Sequence, residues 1–124
     1  MSRTFWICSG LLAAGILHDQ AIELQIFEEY SGQGRHLMFE VPWGKDNLDF
    51  DIRVGNSPTP VKAIISSKVF GRPAGGFVGV TTTTMEDTCE RSLFSQASLY
   101  GFGRLVWGPA LSSQRISDEW TRLT

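Results

Sequence analysis

Ala21–Tyr30 reads AIELQIFEEY, and its pattern sets the fold class. Ile22, Leu24 and Ile26 alternate with Glu23, Gln25 and Phe27. Apolar residues at every second position predict a β-strand with one face against a core. The opposite parity carries Glu23, Gln25, Phe27 and Glu29. Glu28 and Glu29 close the stretch, where they are either solvated charges or reactive carboxylates.

Working outward, Ser31–Arg35 (SGQGR) predicts a turn. His36–Val41 (HLMFEV) predicts a short strand or extended segment ended by Pro42, and Leu48–Val54 (LDFDIRV) continues this irregular stretch. Gly55–Pro58 predicts a turn. Thr59 followed by Pro60 predicts a helix start, with Thr59 as N-cap and Pro60 at the first helical position. Val61, Ile64 and Ile65 carry that helix to about Ser67. Gly76–Thr82 (GFVGVTT) predicts a buried strand, apolar on both faces. Thr81–Arg91 is polar and predicts a loop. Ser92–Trp107 carries Leu93, Phe94, Ala97 and Tyr100 at helical spacing. Ser112 or Ser113 caps a last helix bearing Ile116, Trp120 and Leu123. Strands alternating with helices predict parallel α/β topology, but two strands cannot close a barrel.

Upstream lies MSRTFWICSGLLAAGIL, with Arg3 ahead of an apolar run from Phe5 to Leu17. The run is short for a bilayer span and fits a secretory signal over residues 1–18, with a buried N-terminal helix as the alternative. Cleavage there would remove Cys8 and leave Cys89 as a single thiol.

The sequence has 124 residues, 42% hydrophobic and 19% charged, with a net charge of −2. This suits one globular domain and offers no basic excess for nucleic acid. Two histidines, His18 and His36, and two cysteines make a metal site or a disulfide scaffold improbable. No G-x-S-x-G elbow occurs, and GRPAGG at 71–76 lacks the ending of a phosphate-binding loop. His36 reads as structural or as a surface donor. Trp43, after Pro42, is the surface aromatic best suited to stack on a sugar, whereas Trp120 reads as core.

Carboxylates are therefore the abundant reactive groups. In an α/β barrel, residues of one parity point inward and the other parity meets the helices, with catalytic residues at the C-terminal strand ends. By that geometry Glu29, rather than Glu28, is the catalytic candidate.

Ile22–His36 (IELQIFEEYSGQGRH), Leu48–Asp51 (LDFD), Gly75–Val80 (GGFVGV), Tyr100–Pro109 (YGFGRLVWGP) and Leu111–Leu123 resemble the α-glucuronidases of glycoside hydrolase family 67. The similarity spreads over most of residues 21–124, and several matches in one order are more specific than any one alone. The resemblance implies a secreted enzyme of xylan breakdown that removes glucuronic acid, often 4-O-methylated, from xylo-oligosaccharides. It implies a (β/α)8 TIM barrel followed by a C-terminal helical region. On this view residues 1–18 are the signal, 19–91 hold the last barrel strands, and 92–124 start the helical region. The family inverts anomeric configuration, which needs a general acid and a carboxylate base that activates water. The family segment I-T-Q-E-Y corresponds to Ile26-Phe27-Glu28-Glu29-Tyr30, so the resemblance, like the parity, puts the base at Glu29. Neither the residues nor the resemblance implies a metal or organic cofactor, no membrane or nucleic-acid partner is expected, and the resemblance admits a homodimer for the full-length enzyme, since dimers occur in the family.

Phe27 and Glu28 replace the usual threonine and glutamine, and a like charge beside Glu29 would raise its pKa. The family's general acid, a second aspartate and the uronate-holding residues are expected upstream of this strand, so no substrate-binding residue is assigned. The 81–92 loop lacks the expected tryptophan-glycine pattern. The expectation is a fragment, inactive alone. A small secreted carbohydrate-binding protein using Trp43, or a decayed gene product, is the alternative. A third reading is an interaction fragment that pairs through its strand edges.

Overall fold

The computed structural model describes residues 22–26, 38–69, 76–81 and 93–124, apart from the Gln25 side chain. The sequence expectations for the 1–18 segment, Cys8, Phe27, Glu28, Glu29, the 31–35 turn, His36, Cys89 and the 82–91 loop lie outside these residues. The described elements run β1 (Ile22–Gln25), α1 (Val41–Asp49), α2 (Val61–Ile65), β2 (Phe77–Val80), α3 (Leu93–Trp107) and α4 (Ser113–Leu123). The result is a mixed helix and strand fold, as the alternating pattern predicts.

β1 and β2 pair with each other. The Ile22 N–H donates to the Gly76 carbonyl at 2.7 Å, and the Ile26 N–H donates to the Val80 carbonyl at 2.9 Å. The acceptors advance along β2 as the donors advance along β1, so the strands are parallel. A parallel pair needs a long crossover, and the chain between them supplies one holding α1 and α2.

Among the described residues two compact units can be distinguished, Ile22 with 47–69 and 76–77, and residues 23–26 and 38–46 with 78–81 and 93–124. In the first, Leu48 and Val61 are the buried apolar side chains among the described residues. The turn predicted at Gly55 is present: Val54 and Ser57 pair across it and Gly55 has φ 64°, a left-handed conformation that glycine adopts without steric cost. Asp51 organises the segment before α2. Its Oδ1 accepts from the Thr59 N–H at 2.6 Å and from the Arg53 N–H at 3.0 Å. Those backbone donors, Thr59 first, hold the Asp51 carboxyl below its ordinary range.

The expected cap of α2 is corrected. Pro60, with φ −68° and ψ 144°, stands at the N-cap and no side chain caps the helix. The Thr59 hydroxyl instead donates to the Ser57 carbonyl and accepts from the Val54 N–H. The preceding turn competes for that hydroxyl, which a local reading of Thr-Pro cannot see.

In the second unit, Leu24, Ile26, Val41, Ala97, Leu105 and Ile116 form the core. The stretch around Pro42 is also corrected: Val41 opens a helix there. The first helical bond runs from the Gly44 N–H to the Glu40 carbonyl at 2.9 Å. Pro42 lies in the first turn, where a missing N–H removes no helical bond. Val41, Gly44 and Leu48 are all buried, an i, i+3, i+7 set masked by the proline.

β2 is corrected as well. Val78 and Val80 are 47% and 40% exposed, so this strand is not apolar and covered on both faces. Among the described residues, it is the Gly79 side that meets other side chains: a Cβ there would come within 2.7 Å of Phe102 and would collide with Ile26.

α4 begins as predicted. Ser112 caps it, its hydroxyl accepting from the Arg115 N–H at 3.3 Å. Ile116 is fully buried, and the Trp120 ring sits 5.4 Å from that of Tyr100 at 41°. Leu123, predicted on the same stripe, is 68% exposed.

Candidate functional site

The strand that leads to the candidate carboxylate has the predicted parity. Leu24 and Ile26 are 6% and 3% exposed, and Glu23 on the other parity is exposed. Leu24 reaches Gly44 of α1, where a Cβ would lie 3.0 Å from Leu24 and 3.3 Å from Leu105 of α3. β1 is thus backed by two helices on its apolar face, and glycine at 44 allows their close approach. Both parallel strands end on the same side, β1 just before Ile26 and β2 at Val80. Glu29 follows three residues after Ile26 in sequence and lies outside the described residues.

The described residues include one buried acid that the sequence left without a role. Glu40 is 2% exposed and immediately precedes α1. Its N–H donates to Ser98 Oγ at 3.0 Å, and that hydroxyl points to the Met38 carbonyl at 3.5 Å. Ser98 is itself buried, so α3 fixes the backbone at residues 38–40 from within the core. Partners so distant in sequence leave no local signal.

The connection between α3 and α4 is also anchored. Lys45 Nζ on α1 donates to the Pro109 carbonyl at 2.9 Å. Across the helix pair, Arg104 grips Glu119 with two bonds: Nε to Oε2 at 2.8 Å and an Nη to Oε1 at 3.3 Å. Arg115 adds Nε to Oε1 at 3.2 Å, and the Tyr100 hydroxyl approaches Oε2 at 3.5 Å. The Arg104 hydrogen bonds are the largest influence holding the Glu119 carboxyl below its ordinary range, and the same contact raises Arg104. The Arg115–Glu119 spacing of four is legible in the sequence, whereas Arg104–Glu119 is not. This cluster fastens helices and brings no second carboxylate into play.

Trp43, expected in a loop, is on α1 and is 40% exposed. Trp107 is the most exposed large hydrophobic residue described, at 88%. Among the described residues, no group of three or more His, Cys, Asp or Glu could hold a metal ion. No helix among them is long and apolar enough to cross a membrane.

Among the described residues, β1 and β2 thus form a parallel pair with helices against the apolar side of β1. Residues 8–89 match the glycosyl hydrolase family 67 middle domain, and residues 91–124 match the glycosyl hydrolase family 67 C-terminus. The chain belongs to glycosyl hydrolase family 67. It is 43% identical over 114 residues to the "Probable alpha-glucuronidase A" of Aspergillus terreus, covering 91% of this chain and 14% of that protein. It is 43% identical over 106 residues to the protein of that name from Neosartorya fischeri, covering 86% of this chain and 13% of that protein. The "Alpha-glucuronidase" of Hypocrea jecorina is 41% identical over 104 residues, covering 84% and 12% respectively. The chain therefore spans about 14% or less of the length of these curated relatives. The middle-domain match starts at residue 8, inside the apolar run assigned above to a secretory signal.

Proposed function

We propose that this sequence is a segment of a xylan-degrading α-glucuronidase. The observation that carries the reading is the consecutive match to two regions of one hydrolase family, joined to 41–43% identity with proteins named α-glucuronidases. In this reading β1 and β2 are adjacent strands of a (β/α)8 barrel, and α3 and α4 open the helical region that follows it. The substrate is a xylo-oligosaccharide or glucuronoxylan bearing α-1,2-linked glucuronic acid or its 4-O-methyl ether. Hydrolysis proceeds with inversion.

Glu29 is the base in this proposal. Its carboxylate takes a proton from a water as that water attacks the anomeric carbon, while a general acid elsewhere in the enzyme protonates the departing xylose oxygen. The support is the strand parity and the Glu-Tyr pair at residues 29–30. Because the acid is sought outside residues 21–124, these residues alone are proposed to be inactive.

The test uses the longer protein that contains this segment. Glu29→Gln should abolish release of glucuronic acid from aldouronic acids, while Glu28→Gln should retain it. Full activity of Glu29→Gln would remove Glu29 as the base. Absence of glucuronic acid release by the unaltered long protein would remove the α-glucuronidase reading itself.

Extracellular action is part of the same proposal, with residues 1–18 as the leader. N-terminal sequencing of secreted protein tests it. A mature chain that retains residues 8–17 would assign them to the middle domain instead.

A further inference from the structure

We draw no further inference here: the strongest candidate, the exposed apolar face of α3 that carries Leu99, Val106 and Trp107, has nothing in the structure to show what covers it.

Discussion

Gly101 of α3 lies directly against Val41, the first residue of α1, with no room between them for a side chain. A Cβ at 101 would collide with Val41 Cγ2 and would stand 3.3 Å from Ile116 Cγ2. Val41 is β-branched and 1% exposed, so it cannot rotate out of the way. A Cβ at Gly103, two residues on, would have nothing within 4 Å.

One substitution should therefore have opposite signs at these positions. Gly→Ala in a helix interior is worth up to about 1 kcal/mol from backbone entropy. At Gly103 that gain should appear almost in full, raising the denaturation midpoint. At Gly101, overpacking should cost about 1–3 kcal/mol and outweigh it. Urea denaturation of Gly101→Ala and Gly103→Ala would show the contrast, and equal shifts of the same sign would contradict the packing.

Ser98→Ala should destabilise the chain by about 1–3 kcal/mol, because it leaves the buried Glu40 N–H without this acceptor. Chemical denaturation would measure it. Amide exchange should quicken first at Glu40, which separates loss of this bond from a general loosening.

Glu119→Gln should remove a pH-dependent part of stability. The folded state holds the Glu119 carboxyl below its ordinary value of 4.5, so its contribution is full above that pH. It is lost as pH falls through the depressed folded value. The variant should be less stable than the parent at pH 7, and the gap should close as the solution becomes strongly acidic. Denaturant midpoints across pH would check this, and a gap independent of pH would contradict it.

Asp51→Ala should unfasten the segment before α2, since one carboxylate oxygen accepts from both Arg53 and Thr59. Faster amide exchange at those two residues, with little change at Arg104 or Ile116, is the expected result. Asp51→Asn should retain more protection, because its amide oxygen can still accept both bonds.

In the longer protein, Glu29→Gln should lower kcat for glucuronic acid release by at least about 100-fold, the lower end for loss of acid–base catalysis. Substrate binding should change much less. Equilibrium binding of an aldouronic acid to the variant would separate the two effects.

What the sequence determined is local. Alternation at Ile22, Leu24 and Ile26 assigns β1 and its buried face, because side chains in a strand alternate sides wherever the strand is placed. Ser112 announces α4, because an N-cap bond closes within three residues. The proposal of Glu29 as base draws on the same parity, joined to a family pattern in consecutive residues. Tertiary structure decided what depends on distant neighbours. Helix α1 forms through Pro42 because its buried side meets β1 and α3, and the same contacts leave no room for a side chain at 101 and little at 44. Thr59 loses its capping role to a turn, and Glu119 receives Arg104 from another helix. The exposure of Val78 and Val80 likewise depends on which face of β2 meets Phe102, a contact between chain segments far apart in sequence. Periodicity reports which residues share a face; only packing decides what, if anything, that face meets.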